Sequence, residues 1–224
     1  MGIINKVREL GIGFVLETLF ERFVPAWVFR IASIAVYQLD FDKLSGAPLS
    51  NASVSFCDSE QELEELRELT SHSSVEPHLI GVLARVDGQV AGGLWIATSE
   101  FCDKDVGLLF SLGAERTWSY SARVEPPFRR QGIYSHLMSE SAQSRKRQQK
   151  SAPLIAVSEV NRGSREAIQR FSTFVGKVLV IRVGSMVWAR STGDLQQNQN
   201  WTFRCSRSPI QVEVTGQASE SNGG

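Results

Sequence analysis

The sequence lacks an excess of charge of either sign, because 24 lysines and arginines are matched by 24 aspartates and glutamates. A strongly basic chain would favour nucleic acid or an anionic membrane as a partner, and this composition favours neither. We therefore expect no nucleic-acid partner. The basic run at residues 145–150 ends a helix-like segment, where cations interact favourably with the helix dipole.

Cysteine is scarce, and Cys57, Cys102 and Cys205 are far apart and odd in number. Disulfide frameworks use even sets of cysteines, and structural zinc sites use CxxC pairs or Cys/His clusters, neither of which occurs. We expect free thiols in a reducing cytoplasm and no metal cofactor.

Long hydrophobic runs are also missing. A membrane-spanning helix needs about 18 or more apolar residues, and the nearest candidate, residues 23–37, is interrupted by Pro25 and Arg30. It also follows acidic residues, which is unlike a signal peptide. The sequence therefore predicts a cytoplasmic protein without a membrane span.

Residues 1–45 are predicted to form an N-terminal extension, followed by a main domain at 46–205 and a tail at 206–224. Residues 3–23 have one broad apolar side and are expected to be helical. The extension fits a helix packed on the domain or on a partner chain, a homodimer included. A membrane-surface helix within residues 3–37 is the alternative, although its basic residues are sparse. The polar segment Gly216–Gly224 is expected to be disordered.

The rest of the chain alternates between strand and helix patterns. Ser59 and Glu62 have the spacing of a capping box at a helix start, and Asp87-Gly88 is a strong hairpin signal between two apolar runs. Residues 45–51, 100–116 and 192–200 are predicted to be loops. Strands are predicted at 31–41, 53–57, 81–86, 89–98, 117–124, 153–160, 178–189 and 201–205, and helices from 58, at 132–146 and at 164–175.

The most informative stretch runs from Val124 to Tyr134. It connects a predicted strand to a predicted helix through a loop that carries Arg129 and Gly132. The first amides of a helix lack partners within the helix, and the dipole adds positive charge, so such a loop favours an anion. Glycine permits close approach of a phosphate, and arginine adds donors.

Read as V-x-P-x-x-R-x-x-G, this stretch resembles the acyl-CoA loop of the GNAT N-acetyltransferase superfamily, with Tyr134 where a small residue is usual. The order of elements over residues 50–205 also resembles the GNAT core. The resemblance implies an α/β fold with a mixed, mainly antiparallel sheet flanked by helices, to which the N-terminal helical extension is added.

The resemblance also implies where acetyl-CoA, the cosubstrate, would bind. The pyrophosphate is expected at the loop and helix start, and the pantetheine arm along the preceding strand and near a second motif, Asn161 with Ser164. For Asn161 a plain helix-start or turn role is an equal alternative. The cosubstrate-binding residues implied are Ala122, Arg123, Val124, Arg129, Arg130, Gln131, Gly132, Ile133, Tyr134, Asn161 and Ser164.

The catalytic residues are less well marked. Many GNAT enzymes protonate the departing thiolate with a helix tyrosine, but no tyrosine follows Tyr134. Counting from Asn161 places Ile168 at that position, and counting back from Gly176 places Ser172 there. A thiol has a pKa near 8.5, so an acid helps without being obligatory. Glu125 and Glu159 are candidates for the base that deprotonates an amine, with Glu100 after them.

The resemblance therefore favours an acyl-CoA-dependent N-acyltransferase, most simply an N-acetyltransferase, acting on a small-molecule or peptide amine in a ternary complex. Two alternatives remain. One is a GNAT-fold module that binds CoA without turnover. The other is a partner or membrane-peripheral protein that acts through its N-terminal extension.

Overall fold

The structure is a computed structural model, and it describes residues 24–25, 28–44, 51–71, 78–104, 106–148, 150–196, 201–205 and 209–214. The helix predicted at 3–23, the loop at 45–51 apart from Asn51, and the tail beyond residue 214 lie outside these residues. Within them, no helix is both long enough and apolar enough to span a bilayer.

Thirteen strands and three α-helices make up the described part of the chain. The strands are β1 (Phe29–Leu39), β2 (Ala52–Phe56), β3 (Leu79–Val86), β4 (Gln89–Ala97), β5 (Glu100–Asp103), β6 (Leu108–Ser111), β7 (Trp118–Val124), β8 (Leu154–Ser158), β9 (Ser172–Val183), β10 (Met186–Gly193), β11 (Leu195–Gln196), β12 (Thr202–Cys205) and β13 (Ile210–Val214). The helices are α1 (Glu60–Thr70), α2 (Ile133–Arg147) and α3 (Arg162–Gln169).

Two local sequence signals are confirmed. At the start of α1 the Glu62 N–H donates to Ser59 Oγ at 3.3 Å, and the Glu62 carboxylate accepts from the Asp58 N–H at 3.1 Å. Asp87 and Gly88 form the two-residue turn between β3 and β4, with φ of 49° and 81°. Both residues take the left-handed backbone that this tight turn requires.

The chain divides into two compact units, and the division differs from the predicted boundaries at 45 and 205. The first unit takes its described residues from 1–37, 101–111 and 156–224, and the second from 38–100 and 112–155. The strand β1 belongs to the first unit up to Tyr37. It is a strand of the large sheet, in which residues 34–37 and Leu39 are buried.

In the second unit the strands lie in the order β8-β7-β4-β3-β2, and all neighbours are antiparallel except β7 and β8. Adjacent residues of a strand point to opposite faces. A side chain added at Gly93 would meet Leu66 of α1, and one added at Gly92 would meet Ile133 of α2. The two helices therefore cover opposite faces of this sheet.

In the first unit the strands β12-β10-β9-β1 form one layer, and β11-β13-β6-β5 form another. Gly176 and Gly193 are opposite each other in β9 and β10. A side chain at Gly176 would overlap the carbonyl oxygen of Thr192, and one at Gly193 would overlap that of Val175. These two glycines let the two strands approach at the point where β10 leads into β11.

Five predictions about local structure are wrong. The predicted loop at 100–116 contains β5 and β6, and the predicted loop at 192–200 begins with the end of β10 and with β11. The strand predicted at 178–189 is two strands, which turn at Gly184-Ser185. The helix predicted at 164–175 ends at Gln169, and the predicted tail at 206–224 contains β13, whose Ile210, Val212 and Val214 are buried.

The fold class is confirmed as mixed α/β, with a mainly antiparallel sheet and few flanking helices.

Candidate functional site

Strand β7 has an unpaired edge in the second unit. Its parallel pairing with β8 consists of Trp118 opposite Leu154 and Ser119 opposite Ile155. From Ser121 to Val124 the structure gives no pairing on that side among the residues it describes. Ser121 has a φ of 49°, and the register with β4 shifts beside it, which is the mark of a β-bulge. The outer backbone groups beyond the bulge therefore have no strand partner among the described residues.

The loop after β7 is held by its own hydrogen bonds. The Glu125 N–H donates to the carbonyl of Ala91 at 2.9 Å, and a 3₁₀ turn follows at Pro126–Phe128. Arg129 folds back so that its Nε donates to the carbonyl of Val124 at 3.1 Å. This bond uses one guanidinium nitrogen, and within the described residues the two terminal nitrogens of Arg129 make no hydrogen bond.

The loop enters α2 through left-handed backbone. Arg130 has a φ of 64° and Gly132 a φ of 84°, and Gly132 is the residue that precedes the helix. No side chain caps the first turn of α2, and that turn has no acidic residue. The first intrahelical bond is from the His136 N–H to the carbonyl of Gly132. The first-turn amides of α2 and its dipole therefore favour an anion here.

The start of α2 is fixed against the sheet by a glycine that the sequence reasoning missed. A Cβ on Gly92 of β4 would lie 2.9 Å from the Arg123 carbonyl oxygen, 3.2 Å from Ile133 Cγ2 and 3.3 Å from Leu137 Cδ1. Only a residue without a side chain allows this approach. Adjacent glycines in a strand were the available signal, since glycine inside a strand often marks a bulge or close backbone packing.

Tyr134 lies in the first turn of α2 and is half-buried. Burial raises the pKa of its phenol above the usual value of 10. The hydroxyl therefore keeps its proton throughout the physiological range, as a neutral group that can donate a hydrogen bond.

The second implied motif is in the first unit and has a structural role there. Asn161 caps α3, because its Oδ1 accepts from the Ser164 N–H at 3.1 Å. This is the helix-start role that the sequence left open beside a pantetheine contact. Ser164 supplies the capped amide.

Glu159, a candidate base, also lies in the first unit and is already engaged. Its Oε2 accepts from Ser33 Oγ and from Lys177 Nζ at 3.1 Å. The hydrogen bond from Ser33, and then the one from Lys177, lowers the pKa of Glu159 against the opposing effect of burial. A carboxylate held in this way is a weaker base.

The resembled motif requires a helix at Ser172, but in the structure Ser172 begins β9. It is 6% exposed, and its Oγ donates to the carbonyl of Ile168 at 2.7 Å. Gly176 lies in the same strand opposite Gly193, so it is not the glycine that follows the helix in the resembled motif.

Glu125 lies at the end of β7 and is half-buried, and within the described residues its carboxylate has no hydrogen-bond or ion-pair partner. Glu100 begins β5 and is exposed. The second unit brings together one set of predicted site residues, all within β7, its loop and the first turn of α2: Ala122, Arg123, Val124, Glu125, Arg129, Arg130, Gln131, Gly132, Ile133 and Tyr134.

Comparison with known proteins finds similarity in structure only. No protein-family model and no curated protein matches the chain. A functionally unknown conserved protein from Staphylococcus epidermidis matches at a TM-score of 0.50 with 11% identity, over 72% of this chain and 64% of that one. A GCN5-related N-acetyltransferase from Kribbella flavida matches at 0.46 with 14% identity, over 72% of this chain and 58% of that one.

The chain thus spans less than two thirds of the length of these two proteins. A ribosomal-protein-alanine N-acetyltransferase from Brucella melitensis matches at a TM-score of 0.40 with 15% identity, over 53% of this chain and 89% of that one. At 11% identity, the match to the Staphylococcus epidermidis protein is a likeness of fold alone.

Proposed function

We propose that the protein is an acyl-CoA-dependent N-acetyltransferase that transfers the acetyl group of acetyl-CoA to an amine. The observation that carries the proposal is the continuity of the unpaired edge Ser121–Val124 with the uncapped start of α2. Acetyl-CoA has the matching order of groups, because an amide-bearing arm leads to a pyrophosphate. An extended arm adds to a sheet edge through backbone hydrogen bonds.

The pyrophosphate would rest on the backbone amides from Gln131 to Tyr134, where no acidic side chain competes for the helix dipole. Arg129 supports this arrangement, since its Nε is fixed to Val124 and its terminal nitrogens remain to bind phosphate oxygens. The pantetheine amides would pair with the backbone of Ala122, Arg123 and Val124.

The chemistry we propose is direct attack of a neutral amine nitrogen on the thioester carbonyl carbon. A C–N bond forms, the C–S bond breaks, and the CoA leaves as a thiolate. That leaving group has a pKa near 8.5, so it departs without a strong acid. Glu125 would accept the proton of the amine through water, because its carboxylate is at the end of β7 without an ion-pair partner in the described chain.

Isothermal titration of acetyl-CoA into the full-length protein tests the binding step. Losing the charged contacts of Arg129 is expected to weaken binding by roughly 10- to 150-fold in Arg129→Ala, from about 1.5–3 kcal/mol. Arg190→Ala removes an exposed arginine of the first unit and should leave the affinity unchanged. Arg129→Ala should weaken the binding of dephospho-CoA by the same factor, because Arg129 is assigned to the pyrophosphate, which dephospho-CoA retains. A folded parent that binds no acetyl-CoA would refute the proposal.

A second candidate, a module that binds CoA without turnover, is favoured by one observation. The hydroxyl of Ser172, the residue counted as a substitute acid, is committed to the Ile168 carbonyl. Thiol release from acetyl-CoA across a panel of amines and peptides separates the two. Amine-dependent release that falls in Glu125→Gln, with acetyl-CoA affinity retained, supports the transferase. Tight binding with no release above the amine-free rate supports the module.

A further inference from the structure

One face of the layer formed by β12, β10 and β9 is apolar. Trp188 of β10 is opposite both Ile181 and Phe203, and the rings of Trp188 and Phe203 are 5.0 Å apart. Met186, two residues before Trp188, is opposite Val183. Directly opposed residues share a face, as do residues two apart in a strand. We call these five residues the outer face.

The opposite face of this layer is covered by the other sheet of the first unit. Val187 and Ala189, which alternate with the outer-face residues of β10, are buried. A side chain added at Gly107, in the turn before β6, would meet Arg182 and Val187. The outer face has no such cover among the described residues, since Val183, Met186 and Phe203 are between 37% and 52% exposed. An apolar patch of this kind usually has a binding partner.

The outer face continues onto β1. Ser33 of β1 and Lys177 of β9 both donate to the Glu159 carboxylate, so their side chains are on the same side of the layer. Alternation then places Ile31 with Ser33, and Val183 with Lys177. Ile31 is 50% exposed, and it widens the apolar surface toward the start of β1.

The chain reaches this surface from its N-terminal segment. The carbonyl of Val28 accepts from the Gly184 N–H at 2.9 Å, and Gly184 is in the turn between Val183 and Met186. Pro25, whose carbonyl accepts from the Val28 N–H at 2.8 Å, therefore lies near the outer face, and residues 1–23 precede it in the sequence. Their sequence has an apolar side at helical spacing, formed by Ile3, Ile4, Val7, Leu10, Phe14 and Val15.

We propose that the outer face binds residues 3–23 of the same chain through this apolar side. A helix of that length measures about 30 Å, which fits along β9, a strand of 12 residues and about 40 Å. Two observations favour this occupant over a second copy or a lipid surface. The apolar side chains of residues 3–23 match the apolar outer face, and the chain that follows them begins beside that face.

A native thiol reports on the proposal. Cys205 is opposite Met186 on the outer-face side of β12, whereas Cys102 is an exposed thiol of β5. Alkylation of the full-length protein, mapped by peptide mass spectrometry, is expected to modify Cys205 roughly tenfold more slowly than Cys102, because the covering segment must open first. Leu10→Asp should remove this protection and leave Cys102 unchanged. Asn5→Asp adds the same charge on the opposite side of the segment and should preserve it.

Phe203→Ser tests the other partner of the contact and should also expose Cys205, with folding checked by circular dichroism. Cys205 reacting as fast as Cys102 in the parent would overturn the proposal, as would protection that survives Leu10→Asp. Protection that disappears on dilution would assign the face to a second copy. Protection that appears only with anionic vesicles would assign it to a membrane. Either result overturns the assignment to residues 3–23.

Discussion

Replacing Gly92 with alanine should disturb the proposed acyl-CoA site, although Gly92 itself is assigned no contact with the ligand. The added Cβ would be 2.9 Å from the Arg123 carbonyl oxygen and 3.2 Å from Ile133 Cγ2. The first distance is to backbone, so either β7 or the start of α2 must move. Overpacking of this kind costs about 1–3 kcal/mol of folding stability. Because Arg123 and Ile133 flank the loop, the same movement should weaken acetyl-CoA binding by about tenfold, or about 1.4 kcal/mol.

Gly93→Ala is the matched control, because it adds the same methyl group to the next residue of β4 but on the face of α1. There the Cβ would meet Leu66, Val82 and Leu83, away from the loop. Thermal melts should show that both variants are destabilised, and isothermal titration well below the melting temperatures should show weaker acetyl-CoA binding in Gly92→Ala alone. Equal losses of affinity, or no loss in Gly92→Ala, would refute the idea that this contact positions the loop.

Three further predictions concern stability and ionisation. Glu159→Gln should lower the free energy of unfolding at pH 7 by less than about 1 kcal/mol. The pKa of Glu159 is lowered in the folded protein, so the parent should keep its full advantage in stability over the variant at pH values above the usual pKa of 4.5. In urea titrations this difference in stability should shrink as the pH falls below 4.5. Tyr134→Phe should leave the phenolate absorbance step near pH 10 unchanged, because burial raises the pKa of Tyr134 above that value; a smaller step would contradict its burial. Ser59→Ala should cost about 1 kcal/mol in urea unfolding through loss of the α1 cap, whereas Ser53→Ala on exposed β2 should cost little; equal costs would argue against the cap.

The sequence predicted the elements whose signals are local. The Asp87-Gly88 turn needs two left-handed residues, which aspartate and glycine supply, so the hairpin follows from the turn alone. The Ser59 cap is recognisable because its partner is three residues away. Neither feature depends on the rest of the fold, which is why neither prediction needed tertiary information.

Elements stabilised by distant partners escaped prediction. Strand β13 alternates buried Ile210, Val212 and Val214 with exposed residues, but it pairs with β6, about a hundred residues earlier. The strands β5 and β6 have four residues each, too few to show a period. At Gly184 the apolar run continues on both sides of the turn, so hydrophobicity alone concealed the hairpin.

The candidate site likewise has a part with local sequence signals, which was predicted, and a part that depends on distant residues, which was not. The segment from Val124 to Gly132 was recognisable because a loop, its arginine and a helix start are contiguous in the sequence. The bulge at Ser121 has no sequence signal, since serine rarely takes a φ of 49°. The engagement of Glu159 by Ser33 and Lys177 depends on residues far away in the chain. Counting along the sequence also failed for Ser172, because the helix ends three residues before it.

The position of β1 between β8 and β9 has a consequence for how the protein is made. During synthesis β1 leaves the ribosome more than a hundred residues before β8 begins at Leu154, and β8 is the first of its two neighbours in the sheet to be made. At translation rates of about 5–20 residues per second, the delay is on the order of ten seconds. Throughout that time Ala35, Val36 and Tyr37, buried in the finished fold, lack the neighbour that shields them. The nascent chain therefore exposes an apolar strand, which chaperones can bind, long before the first unit can fold.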